Sequence, residues 1–379
     1  MNYSNFQTLI NQNPEKLQSE STQFDEIVLN WCNFESDIIP EYQTNKETIS
    51  LLSDEIIENK IFRYPVFSPT NKIDESRAII LLHGLNERNW NKYYSWAYSL
   101  CQKTKRTVIL FPLAFHINRS PQSWSNPRYL EKLYSLRNTI LGPDRSVSYA
   151  NMAISSRLWE NPLRFFHSGK QTLQDIEKLI GIIQDGKHSY IGKNTGFDIF
   201  AYSIGAFLAE IALIENKNNL YSDSKLFIFC GGGTFNSMSG NSRSIIDRFA
   251  FEKLTSYYSS QFKANDTLTD PLEVSLKAMI DENNFRDIRK SFFSKNSHRI
   301  SGILLKKDKV MSYSGLEQAV GYELAHSNFQ YIDFGYDYSH EQPFPQNSND
   351  QRPAIDESFE LVFDVASRFF KPMTNNFMA

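Results

Sequence analysis

From residue 61 onward, short uninterrupted apolar runs alternate with stretches of helical periodicity, and this alternation leaves few architectures open to the chain. "AIILLHG" (78–84) is apolar without a break and ends on a glycine. "RTVILFPLAF" (106–115), "GFDIFAYS" (196–203), "KLFIFCGGG" (225–233), "RISGILLKKD" (299–308) and "FQYIDFG" (329–335) are further short runs built around apolar residues. Strands apolar at every position are buried on both faces, and strands separated by helices pair in parallel. The intervening segments supply those helices. "YYSWAYSLCQKT" (93–104) and "IGAFLAEIALIE" (204–215) are rich in helix formers. "TLQDIEKLIGII" (172–183) sets Leu173, Ile176, Leu179, Ile180 and Ile183 on one face. "FELVFDVASRFF" (359–370) does the same with Phe359, Val362, Phe363, Ala366 and Phe370, and Pro372 stops it. The expectation is an α/β fold: a mostly parallel central sheet with helices on both faces.

The organisation follows from where this alternation begins and where it is interrupted. Residues 1–58 read as a polar extension with weak helical patches, such as "FDEIVLNW" (24–31), packed on the core. Residues 59–371 read as the main domain. Two stretches, 116–170 and 234–297, are too long to be structureless loops and read as folded insertions over one edge of the sheet. The second carries Asp270 as an N-cap, Pro271 at the first helical position and Glu273 three residues after the cap. It also carries amphipathic lid material, with Ile245, Ile246 and Phe249 at helical spacing.

Several function classes are excluded as expectations. A net charge of −3 argues against a nucleic-acid partner. No apolar run approaches the roughly 18 residues of a membrane span. The start has no basic segment followed by an apolar one, so no leader is expected. Cys32, Cys101 and Cys230 are scattered and odd in number, which points to a reducing cytoplasm without disulfides or zinc. Neither a GxxxxGK[ST] loop nor an HExxH pair occurs. No metal or cofactor is expected, and the partner is a small molecule.

In an open parallel sheet, function collects at the C-terminal strand ends. "FAYSIGA" (200–206) places Ser203 where a strong strand meets a strong helix. Ala201 and Gly205 are small on either side, as a sharp nucleophile turn requires. The alternative is an ordinary helix-capping serine. The amides of Ile204, after the serine, and of Leu85, in "HGLNER" (83–88), are the expected donors to an oxyanion. His83 is expected to order its loop rather than react, and the triple glycine 231–233 to let backbone run close to the nucleophile turn. The acid and base must follow in the chain. Asp308 ends one strand, and His340 lies in the loop after the next. The order Ser203, Asp308, His340 suits a hydrolase of this architecture. Asp333 and Asp337 compete as acids, but both lie too near His340 in the chain. His326 competes as base, but it sits on a helical stretch. His116, Arg119, Trp124, Arg128, Arg157, Arg164 and His167 are candidates for contacting an anionic part of a substrate, or else for packing the first insertion.

With "HGL", "AYSIGA", Asp308 and His340 in place, residues 60 to 371 resemble the α/β-hydrolase superfamily. The resemblance implies an eight-stranded, mostly parallel sheet, a Ser-Asp-His triad working without a cofactor, and a lid inserted at 234–297. The sequence departs from the pattern at Ala201, where glycine is usual, and in the long insertion 116–170. The expected function is hydrolysis of a small or medium ester, thioester or amide. A non-catalytic binding protein of the same fold, or an acyltransferase using the same triad, are the alternatives.

Overall fold

Nine strands hydrogen-bond into one sheet in the computed structural model, which describes residues 1–37, 56–71, 76–262, 270–346 and 351–371. Pro372, residues 38–55 of the N-terminal extension and residues 263–269 of the second insertion lie outside the described residues. The strands are β1 (Ser21–Phe24), β2 (Ile27–Glu35), β3 (Ile61–Pro69), β4 (Arg77–Leu82), β5 (Val108–Leu110), β6 (Gly196–Tyr202), β7 (Leu226–Phe229), β8 (Ile300–Leu305) and β9 (Phe329–Ile332). Their order across the sheet is β1-β2-β3-β5-β4-β6-β7-β8-β9. The first four neighbours pair antiparallel, and every pairing from β5–β4 to β8–β9 is parallel. From β2 onward this is the order of an α/β-hydrolase sheet, and β1 is a ninth strand added at one edge.

Alternation along each strand divides the core into two layers. Ile80, Leu82, Ile199, Ala201 and Ile228 face one layer, against the helices Leu163–Gln184 and Ile204–Glu215. Ile79, Leu81, Phe200, Tyr202 and Phe227 face the other, against Tyr3–Gln12, Asn91–Thr104 and Arg352–Phe370. The sheet is therefore covered on both sides. No helix among the described residues is long and apolar enough to cross a membrane.

Two elements differ from the sequence reading. Residues 24–31 form a hairpin, not a helical patch: Phe24 pairs with Ile27 across a two-residue turn whose Asp25 has φ +49°. Ile27 and Leu29 point into the core at strand spacing, and a run as short as "IVL" fits period 2 as well as 3.6. The second expected strand, 106–115, pairs only over Val108–Leu110. Beyond Pro112 the amides find side-chain acceptors instead: Leu113 N donates to His83 Nε2 (2.9 Å), Ala114 N to Thr172 Oγ1 (2.9 Å) and Phe115 N to Asn59 Oδ1 (3.0 Å). These contacts satisfy the backbone without a sheet partner.

The first insertion contains the helices Pro127–Leu141 and Met152–Glu160 and the start of Leu163–Gln184. A separate small core holds it together, formed by Phe115, Trp124, Leu130, Leu133 and Met152. The second contains Arg248–Ser256, Pro271–Ala278 and Arg286–Asn296. Ile245 and Ile246 precede the first of these helices, which Asp247 caps by accepting from Ala250 N at 3.0 Å. Asn86, in the loop after β4, donates to Ala150 O of the first insertion and Ser244 O of the second, both at 2.7 Å. Both insertions thus meet over the C-terminal ends of the strands.

Candidate active site

Ser203 is the hinge between β6 and the helix Ile204–Glu215, at φ +57° and ψ −126°. A non-glycine residue holds that conformation only where its surroundings fix it. Gly205 explains one constraint: a Cβ there would lie 2.7 Å from the carbonyl oxygens of Leu82 and His83. The helix start therefore presses directly on the end of β4. Gly231 explains another, since a Cβ there would sit 2.6 Å from Ala206 Cβ and 3.1 Å from Ser203 O.

Asp308 and His340 come to this turn from β8 and from the loop after β9. His340 Nε2 lies 2.7 Å from Ser203 Oγ, and His340 Nδ1 lies 2.7 Å from Asp308 Oδ2. The His340 and Asp308 side chains are 3% and 1% exposed, so the pair is screened from water. The second carboxylate oxygen of Asp308 accepts from Val310 N (2.8 Å) and Met311 N (3.0 Å), which fixes its plane. The competing residues stay away from the turn. Asp333 is exposed and accepts from Tyr338; Asp337 is exposed; His326 bonds the Tyr322 carbonyl on its own helix.

Leu85 and Ile204 are the candidate oxyanion donors. Neither the Leu85 nor the Ile204 amide has an acceptor among the described residues, and both residues line the same cavity. His83 is fully buried. Its Nε2 accepts from Leu113 N, so Nδ1 carries the proton and donates to Gly84 O at 2.8 Å. Burial first, then the neighbouring His116, holds its pKa well below the ordinary value. It is a neutral brace between the loops after β4 and β5.

Three supporting residues carried no sequence signal. Tyr202 stacks on the His340 ring (5.3 Å, 15°) and donates its hydroxyl to the His340 carbonyl. Tyr93 accepts from Gly84 N at 3.1 Å. Cys230 is fully buried at φ +50°; burial first, then the nearby Asp308 carboxylate, keeps its thiol protonated. Each acts across the fold, so sequence spacing does not reveal it.

Three of the basic candidates of the first insertion are occupied. Arg119 pairs with Asp175 at 2.7 Å, and Arg164 with Glu160 at 2.8 Å. Arg157 lies over the rings of Phe115 (4.6 Å) and Trp124 (5.4 Å). These contacts are packing and internal ion pairs.

Leu85 borders an inner and an outer cavity. The inner one, a narrow cleft of about 60 Å³, runs between Leu163–Gln184 and Ile204–Glu215 and is walled mostly by apolar side chains. The outer one, of about 400 Å³, is lined by Glu87, Arg88, Lys92 and Glu341 among others.

Residues 11–371 match the model of a family of unknown function, DUF6051. The chain belongs to that family. No curated protein matches it in sequence. Among solved structures, a bacterial heroin esterase aligns over 97% of this chain and 91% of its own, at 10% identity and TM-score 0.48. Vibralactone cyclase aligns over 98% and 91%, at 12% identity and TM-score 0.41. A thermostable esterase from Pseudomonas putida aligns over 97% and 95%, at 10% identity and TM-score 0.40.

Proposed function

We propose that this member of the family is a serine hydrolase acting on a small or medium ester, thioester or amide. The observation that carries the reading is the buried Ser203–His340–Asp308 chain, 2.7 Å at each link, mounted on a positive-φ strand-to-helix turn. Ser203 Oγ attacks the acyl carbon while His340 Nε2 takes its proton. Asp308 holds Nδ1–H and so keeps the lone pair on Nε2 aimed at the serine. Negative charge develops on the carbonyl oxygen, and the Leu85 and Ile204 amides receive it. His340 then returns its proton to the departing alcohol, thiol or amine, leaving an acyl-Ser203 ester. Water, deprotonated by the same imidazole, releases the acid. The polar outer cavity suits the leaving group and the apolar inner one the acyl group.

The test is turnover of short chromogenic esters by the protein and by Ser203→Ala. Loss of a triad member drops kcat by about 10⁴-fold or more, with residual catalysis from the remaining site. A folded Ser203→Ala variant of undiminished activity contradicts the proposal.

A further inference from the structure

His116 lines the inner cavity and carries one buried polar atom whose hydrogen-bonding capacity the protein leaves open. The residue is 4% exposed. Its Nδ1 lies 2.8 Å from the Ala114 carbonyl oxygen, which can only accept, so Nδ1 carries the proton. Burial first, then the Arg119 charge acting against that carbonyl bond, brings the ring's pKa down to about 4. The ring is neutral at pH 7, and Nε2 is a lone pair. Among the described residues Nε2 has no hydrogen-bond partner, and no other buried side-chain nitrogen or oxygen on this cavity's wall is in that state.

The other polar groups on the wall are engaged. Ser168 Oγ donates to Ala114 O (3.0 Å), and Thr172 Oγ1 donates to Ser168 O (2.8 Å) while accepting from Ala114 N. Lys170 pairs with Asp270 at 3.4 Å. A buried acceptor without a donor is unfavourable in the empty protein, and a ligand that brings the donor removes that penalty. Sites built around such a group discriminate strongly against analogues that lack it.

The cavity's dimensions set the rest of the ligand. Ile204, Phe207, Leu208 and Ile211 form one wall at i, i+3, i+4 and i+7 of the helix that begins at the nucleophile turn. Seven residues of helix span ~10 Å, which is about eight bonds at the ~1.3 Å advance per bond of an extended chain. Leu272 and Leu276 of the second insertion also line this cavity.

Resting on Ser203 as the nucleophile, the geometry points to an acyl subsite for a medium-length hydroxylated chain. The inner cavity holds the hydrocarbon along the face of Ile204–Glu215, and His116 Nε2 accepts a hydrogen bond from a hydroxyl on that chain. His116 is then a specificity residue that takes no part in proton transfer at the acyl carbon.

The test is binding, so it does not depend on turnover. Ser203→Ala protein is titrated calorimetrically with methyl octanoate and with its monohydroxylated isomers, the hydroxyl moved along the chain from C2 to C8. Methyl octanoate should bind, and at least one isomer should bind about tenfold tighter. His116→Leu in the same background should abolish that preference, and His116→Gln, which restores an acceptor, should keep much of it. Leu208→Trp, which fills the cavity, should weaken every ester. The inference is overturned if no isomer outbinds methyl octanoate, if the preference survives in His116→Leu, or if none of the esters binds. The first comparison needs no variant at His116, so misfolding of His116→Leu leaves the test intact. Hydroxyl-selective binding with no Ser203-dependent hydrolysis would refute the hydrolase reading and leave the subsite. Ser203-dependent hydrolysis without selectivity would do the reverse.

Discussion

Glu210 is a carboxyl group with no evident place in the proposed chemistry, on the same helix as the nucleophile turn. It is fully buried, and among the described residues neither of its oxygens has a hydrogen-bond partner. Burial holds its pKa well above the ordinary value, with the Arg289 charge opposing only in part. The sign of the resulting pH dependence follows. In the unfolded chain the group ionises near its ordinary value, whereas the folded protein keeps the proton to higher pH. Between those values the folded state binds one proton more, so stability falls as pH rises, by about 1.4 kcal/mol per pH unit for this group. Glu210→Gln removes that titration. Thermal melts of the two proteins should show the variant gaining over the wild type from pH 5 to pH 8. A Tm difference that is flat across that range would mean Glu210 is not held neutral. At this scale the reacting groups were legible in the sequence, since Ser203, Asp308 and His340 each sit at or after the end of an apolar run. Tyr202, Cys230 and the lone pair of His116 were not. Their roles depend on His340, Asp308 and Ala114, which the fold brings to them.

Element by element, legibility tracked how completely a segment is buried. β4, β6, β7 and β8 are apolar at nearly every position and flanked by glycine or charge, so their limits could be read within a few residues. The helix 204–215 could be read as well. β2 could not, because it lies near the sheet edge and buries only alternate positions over part of its length. β5 was read too long, because the side chains that end it, from His83, Thr172 and Asn59, are remote in sequence. Of the three glycines after β7, Gly231 alone approaches the nucleophile turn, whereas Gly232 and Gly233 pack against Leu316 and Ser237, and the Gly231 contact can be tested. Gly231→Ala places a Cβ 2.6 Å from Ala206 Cβ, and such overpacking costs about 1–3 kcal/mol. Adding Ala206→Gly should recover part of the lost Tm despite its own helix penalty of about 1 kcal/mol. Strictly additive losses in the double variant would show that the two residues do not press on each other.

At the scale of the whole molecule, the two insertions roof the strand ends through a buried ion pair. Arg137 of the first reaches Asp247 of the second at 2.6 Å, with side chains 4% and 0% exposed. Asp247 also caps its own helix, so the pair ties a helix start in one insertion to a helix in the other. Arg137→Met would strand a buried carboxylate, at a cost of about 3–5 kcal/mol. Calorimetry should register this as a Tm drop of about 4–6 °C, largely restored by Asp247→Ser, which keeps a cap and removes the charge. An unchanged Tm in the single variant would mean that the pair does not hold the roof. Beneath that roof lies the central claim, that Ser203 is a nucleophile activated by His340 and Asp308. It is tested most directly by treating the native protein with a fluorophosphonate and mapping the adduct by peptide mass spectrometry. The account predicts a single adduct, on the peptide carrying Ser203, absent from Ser203→Ala and strongly slowed in His340→Ala. A folded protein that takes no label, or takes it on another residue, would contradict it.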